Sequence, residues 1–384
     1  MKPVTAGQLN RATLARQLLL RREPLGVGEA VRRVVALQAQ EPASPYLALW
    51  NRVTGFDPAD LDAAFADGTV VKATLMRVTL HAVHAGDYPA FHNAMVPVLR
   101  GPRLGDRRFT DSGLSTADAD DLLGHLLAFT AAEPRTKVHI EDMFEERLGR
   151  RHPGVYWALR TYAPLLHTPT GGPWSFGTRA AFRSFASPLP AGDREESVRR
   201  LVLRYLAGFG PATIADIAQF SLLPRTLVRE AVRFPGGAVR VLTQADDGAE
   251  LYDVAGAAIP PARTPAPPRL LPMWDSTLLA YADRSRIIPP EYRTLVIRVN
   301  GDVLPTVLVD GRVAGVWRPV DGGIEATAFH PLSSRAWKGL AAEAAALLPV
   351  LADRDPAVYR RYNHWWAKLP PALPPAAEVR VLAE

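Results

Sequence analysis

Residues 211–254 read PATIADIAQFSLLPRTLVREAVRFPGGAVRVLTQADDGAELYDV. Pro211–Phe220 and Pro224–Phe234 each carry apolar residues at helical spacing behind a leading proline. Val239–Leu242 and Glu250–Val254 flank Asp246-Asp247-Gly248, a strong two-strand turn signal. With a helical stretch at 193–207 ahead of them, these residues predict a helix, a helix pair and a β-hairpin. That is the plan of a winged helix, whose last helix suits the major groove of DNA. The pattern also occurs in proteins that never touch nucleic acid, so one copy decides little.

Working outward, the plan recurs. Helices are predicted near 138–148 and 153–163, followed by strands at Leu165–Pro169 and Trp174–Phe176 around Gly171-Gly172. Residues 7–83 offer a third copy. Leu9, Leu14, Leu18 and Leu19, then Ala30, Val34, Val35 and Leu37, give helical stripes from 7 to 40 that Pro42 and Pro45 should stop. Asp57 and Pro58 predict the start of a short helix at 57–66, and Val70–Val83 is β-rich. Tyr88–Leu99 reads as helix and Arg100–Gly113, with four arginines, as a mobile loop. Beyond a Pro-rich linker at 260–272, Thr294–Asn300, Val303–Val309 and Arg312–Trp317 read as three strands joined by Asn300-Gly301-Asp302 and Asp310-Gly311. An amphipathic helix at 333–350, a Trp/Tyr-rich segment and a Pro-rich tail close the chain. The expected class is α+β with a small antiparallel β element, not a doubly wound sheet.

The 384 residues hold 45 Lys plus Arg against 39 Asp plus Glu, a net charge of +6 with only five lysines. Arginine keeps its charge when partly buried and grips phosphate bidentately, so a DNA partner would explain the bias; a GC-rich genome would explain it as well. The lack of cysteine excludes disulfides, thiolate metal sites and Cys nucleophiles. No apolar run approaches a membrane span and no signal peptide is apparent, so a cytoplasmic protein is expected. No phosphate loop of the GxxxxGK[ST] type and no GxSxG elbow is present, and Gly26-Val27-Gly28 begins a dinucleotide fingerprint that Val31 breaks. His81 and His84 have no nearby carboxylate at ligand spacing, so no metal is expected.

Gln38-Ala39-Gln40 lies where an amphipathic helix runs out before Glu41-Pro42. Proline pushes the residue before it out of helical conformation, and in extended chain residues two apart share a side. Two amides could then converge on a water or a phosphate. On the pattern alone, an ordinary polar helix end is much the stronger reading.

Six segments carry a resemblance: Leu37–Asn51 (LQAQEPASPYLALWN), Met76–Tyr88 (MRVTLHAVHAGDY), Trp174–Gly177 (WSFG), Arg204–Phe220 (RYLAGFGPATIADIAQF), Leu270–Leu279 (LLPMWDSTLL) and Val309–Trp317 (VDGRVAGVW). In number and order they resemble the AlkZ family of bacterial winged-helix DNA glycosylases, whose best-known member confers azinomycin resistance by unhooking interstrand crosslinks. The family's catalytic signature is Gln, an aliphatic residue, Gln, which Gln38, Ala39 and Gln40 match; a sister branch has Asp at the second polar position.

The resemblance implies three tandem winged helices around a concave channel plus a C-terminal β-barrel-like element. It divides the chain into 1–110, 111–190, 191–259 and 260–384. It also implies a monofunctional glycosylase for bulky N7-alkylguanine adducts or crosslinks, with Gln38 and Gln40 orienting water at C1′. Such an enzyme would act on duplex DNA as a nucleoid-associated monomer without cofactor, in repair and in self-resistance to a genotoxic natural product. Expected DNA contacts are Arg77, His81, Arg103, Arg107, Arg108, Arg150 and Arg151, with Asp310-Gly311 or the loop around Arg284 probing the lesion. A non-catalytic winged-helix regulator and a drug-sequestering resistance protein are the rival readings.

Overall fold

The computed structural model describes residues 3–185, 193–233, 236–369 and 377–382. Phe234, the expected boundary at 190/191 and most of the Pro-rich tail lie outside the described residues. After α1 (Ala6–Arg16), one order of elements occurs three times: a helix, a short extended segment, two helices and a hairpin. The first unit is α2 (Val27–Val34), β1 (Leu37–Gln38), α3 (Ala43–Trp50), α4 (Pro58–Ala66), β2 (Val70–Thr74) and β3 (Leu80–His84). α5 (Tyr88–Leu104) and α6 (Arg107–Thr110) lead to α7 (Thr116–Ala132), β4 (Arg135–Thr136), α8 (Lys137–Leu148), α9 (Pro153–Tyr162), β5 (Leu165–Thr168) and β6 (Ala181–Ser184). The third unit is α10 (Arg194–Phe209), Ala212, α11 (Ile214–Ser221), α12 (Arg225–Arg233), β7 (Val239–Thr243) and β8 (Glu250–Val254).

In each unit the short segment pairs with the second hairpin strand: Gln38 with His81, Arg135 with Phe182, and Ala212 with Tyr252. β2 and β5 then join edge to edge, placing Lys72 opposite His167 and fusing the first two hairpins into one sheet of order β1-β3-β2-β5-β6-β4. Thr136 and Thr213 accept an N–H in the first turn of α8 and α11 with their side chains. α3 has no such cap: Pro42 occupies that position, so Gln40 and Glu41 are free of capping duty.

Several expectations change. The helical pattern from 7 to 40 is broken by left-handed backbone at Leu18 and Val35, and Pro42 and Pro45 open α3 rather than stop a helix, because the first turn needs no N–H donor. Arg100–Gly113 is mostly helix, anchored by buried Leu104 and Phe109 that its arginines mask in the sequence. The partner of β5 is β6, not Trp174–Phe176; the Trp174 indole instead packs on Tyr46 with ring centroids 5.1 Å apart.

The C-terminal part comprises β9 (Arg269–Leu271), α13 (Ser276–Leu279), α14 (Arg293–Val296), β10 (Thr306–Val309), β11 (Arg312–Val320), β12 (Gly323–Ala328), α15 (Ser334–Arg354) and β13 (Glu378–Leu382). Thr294–Asn300 is therefore not a strand; its β-branched residues turn through α14, and only Ile297 bridges to Val303. The sheet order β13-β12-β11-β10-β9 is antiparallel and open, with no closure into a barrel. One apolar core joins the first unit to this sheet through residues such as Leu47, Trp50, Leu271 and Trp317. A second joins α5 to the other two units through Phe91, Leu159, Leu201 and Phe220.

Candidate active site

Gln38 lies on β1, in register with His81 on β3, which puts both side chains on one face of the sheet. The turn between β2 and β3 carries two consecutive left-handed residues, Arg77 (φ 55°) and Val78 (φ 56°). That conformation costs about 1–2 kcal/mol per non-glycine residue, and most for a β-branched one. It folds the Arg77 guanidinium back over the sheet. There Nη2 donates to Gln38 Oε1 at 2.7 Å and lies 3.1 Å from His81 Nε2, while the Phe220 ring of α11 sits 5.0 Å away.

His81 has no exposed surface, and its Nδ1 is 3.1 Å from Thr79 O. Burial, followed by the Arg77 charge, holds its pKa well below the ordinary histidine value, so the ring is neutral. Arg77 is itself pushed down to about 10 by burial and by repulsion from Arg284. The Gln38 side chain is buried, whereas Gln40 is exposed, one residue beyond Ala39, whose N–H donates to Leu80 O at 2.8 Å. Glu41, the nearest carboxylate in the chain, is committed to Arg361 and to Tyr362, whose hydroxyl donates to it at 3.1 Å. That pair ties the Gln40 turn to the C-terminal region.

Hydrogen bonds tie several of the segments behind the resemblance to one another. Ser276 donates to Ala36 O at 2.8 Å, and Asn51 donates to Leu270 O at 2.8 Å. Arg52 and Asp275 form a buried bidentate pair at 2.9 and 2.8 Å. Trp317 donates to Leu271 O at 2.8 Å, and Ser175 accepts from the Tyr46 hydroxyl at 2.7 Å. The chemistry available is that of two neutral amides, one buried and one open, beside a fixed cation.

The other expected site residues divide. Arg77 Nη2 is engaged by Gln38 and His81, its buried Nη1 has no hydrogen-bond partner among the described residues, and His81 has no exposed surface. Arg103 and Arg108 stack on Trp157 at 4.2 and 4.1 Å, and Arg107 is exposed beside them. Arg150 is exposed and donates to His152, but Arg151 is ion-paired with Asp142 and Glu145 at 2.7 and 3.0 Å. The Asp310-Gly311 turn rests on α1, where Asn10 donates to Gly311 O at 2.8 Å and Arg11 pairs with Asp310, whose side chain stays largely exposed. Arg284, expected on a separate loop, comes close enough to Arg77 to repel its charge.

Phe220, Glu41, Arg361 and Tyr362 were not expected at the site. Phe220 reads as a core residue from its helical spacing. Pairing Glu41 with Arg361 requires closure of 320 residues, which no local pattern signals.

The solved structure of the Streptomyces sahachiroi DNA glycosylase AlkZ matches with a TM-score of 0.76 at 22% identity, covering 93% of this chain and 98% of that one. A Streptomyces sahachiroi protein described as an interstrand DNA cross-link repair glycosylase is 27% identical over 346 residues, or 86% of this chain and 92% of the relative. The profile of AlkZ-like DNA glycosylases matches residues 31–350, which include Gln38, Gln40, Arg77, His81 and Phe220, and the chain belongs to that family of DNA glycosylases.

Proposed function

We propose that this glycosylase hydrolyses the N-glycosidic bond of N7-alkylguanine in duplex DNA, with bulky adducts or interstrand crosslinks as its targets. It acts as a monomer, without a cofactor, in repair and in self-resistance to a genotoxic natural product. The observation that carries the reading is the match of Gln38-Ala39-Gln40 to the family's catalytic signature, with Gln38 pinned by Arg77 and Gln40 left open. The relatives' names, which speak of cross-link repair and DNA glycosylase activity, support the substrate class.

Alkylation at N7 makes guanine cationic, so the base leaves without protonation and no strong general acid is required. Water oxygen bonds to C1′, the C1′–N9 bond breaks, its electron pair neutralises the base, and the water's proton passes to solvent. A neutral amide is a poor base but a competent holder of that water. The three repeated units serve as winged helices around a concave channel. Arg103, Arg107, Arg108 and Arg150 bind the phosphate backbone there, so affinity falls steeply with salt. A channel open at Gln40 suits a base tethered to both strands, which cannot swing into a closed pocket.

The test is single-turnover excision from duplex DNA containing 7-methylguanine, read by alkaline cleavage. Gln38→Ala and Gln40→Ala are each expected to slow excision at least tenfold, about 1.4 kcal/mol of barrier, with DNA affinity and folding retained. Wild-type rates in both variants would remove the glutamines from the chemistry. Sequence-specific protection without abasic sites would favour a regulator, and loss of free drug in the absence of DNA would favour sequestration.

A further inference from the structure

A guanidinium only donates hydrogen bonds. The Gln38 atom 2.7 Å from Arg77 Nη2 is therefore the carbonyl oxygen, whichever way the amide could otherwise be turned. By the same argument His81 Nε2, 3.1 Å from that nitrogen, accepts, so the ring proton sits on Nδ1 and is donated to Thr79 O. Arg77 is held in turn by the Phe220 face and by the costly left-handed backbone at residues 77 and 78. Gln40 is exposed and has no side-chain partner among the described residues.

We propose that Arg77 is a positioning residue that occupies the Gln38 carbonyl, so that Gln38 meets the damaged nucleotide as a hydrogen-bond donor while Gln40 alone supplies the carbonyl that holds the attacking water. The proposal rests on the glycosylase reading above and divides the labour within it. A donor aimed at the water would occupy one of its two lone pairs and make the oxygen a weaker nucleophile, whereas a carbonyl accepts the water's proton in a hydrogen bond and leaves both lone pairs for C1′. The Gln38 amide N–H groups are instead suited to an acceptor on the damaged nucleotide, a phosphate oxygen or a base acceptor atom.

Replacing each glutamine by the near-isosteric glutamate separates donor from acceptor. Gln38→Glu keeps an acceptor for Arg77 and loses both N–H donors, so excision of 7-methylguanine at saturating enzyme falls at least tenfold. Gln40→Glu keeps its acceptor and outpaces Gln38→Glu by at least tenfold. Arg77→Met releases the Gln38 amide and lowers the rate about tenfold without changing half-saturation by DNA. Because it acts through Gln38, the Arg77→Met, Gln38→Ala double variant is no slower than Gln38→Ala alone. Wild-type excision by Gln38→Glu, or multiplicative losses in the double variant, overturns the proposal.

Silence of the wild type on this DNA would instead count against the glycosylase reading. The lock has its own readout in that case: nitrogen NMR of labelled His81 in the free protein. A ring protonated on Nδ1 alone, changed in Arg77→Met, is expected; an Nε2–H ring in the wild type overturns the lock.

Discussion

Arg52 has no exposed surface, yet it is charged and central to the architecture around the candidate active site. Its guanidinium donates to Ala48 O, to both Asp275 oxygens and to the Thr277 hydroxyl. Burial pushes the Asp275 carboxyl up, but Arg52 and the Thr277 donors outweigh it and leave it below the usual carboxylate value. The pair joins the end of α3 to the segment that holds Ala36, two residues before Gln38. Replacing one partner strands a buried charge. Arg52→Met is expected to cost about 3–5 kcal/mol of unfolding free energy, measured from the urea midpoint, and replacing Asp275 by Leu in the same chain should recover most of it. A loss below about 1 kcal/mol in the single variant would mean that water reaches the stranded carboxylate.

Among the elements, the Asp310-Gly311 turn shows how local reading and tertiary context part. Its composition marks a tight turn, and the strands on either side form as expected. What it touches depends on α1, almost 300 residues earlier. Gly311 has φ 76°, and a Cβ there would lie 2.4 Å from Leu14 Cδ1 and 2.8 Å from Asn10 Oδ1. Gly311→Ala combines backbone strain with overpacking, an expected loss of about 2–4 kcal/mol. If the turn serves folding, any fall in excision should be shared equally by 7-methylguanine and a bulky adduct; selective loss on the bulky adduct would place the turn in lesion probing.

The same division runs through the fold. The helix pair and hairpin of the third unit were legible because their spacing and turn residues act within a few positions. The two-residue strands β1 and β4, too short for any period, were not, and neither was the edge pairing of β2 with β5. Gln38 and Gln40 were legible through the family match. The Arg77 lock was not, because it needs both the β1–β3 register and a left-handed backbone that Arg and Val do not advertise.

At the scale of the whole molecule, acid is expected to loosen both parts of the protein well before its carboxylates titrate. His81 lies beside Arg77, in the layer where the first unit meets α11. His92 lies in α5 with its Nε2 donating to Tyr162 O of α9 at 3.0 Å, and burial pushes its pKa down to about 4. His167 sits on β5 where the two hairpins join, its pKa lowered by burial and then by the charges of Lys72 and Arg160. In each case the folded chain resists a proton that the unfolded chain accepts near pH 6.5, so stability is complete above that value and is lost as pH falls below it. For His92 alone the loss at pH 5 relative to pH 8 is about 2 kcal/mol. The other two histidines act in the same direction. Urea midpoints should therefore drop between pH 8 and pH 5, and His92→Gln, which keeps a donor for Tyr162 O but cannot titrate, should flatten that dependence. An unchanged slope in the variant would show that His92 takes up its proton in the folded protein as readily as in the unfolded chain.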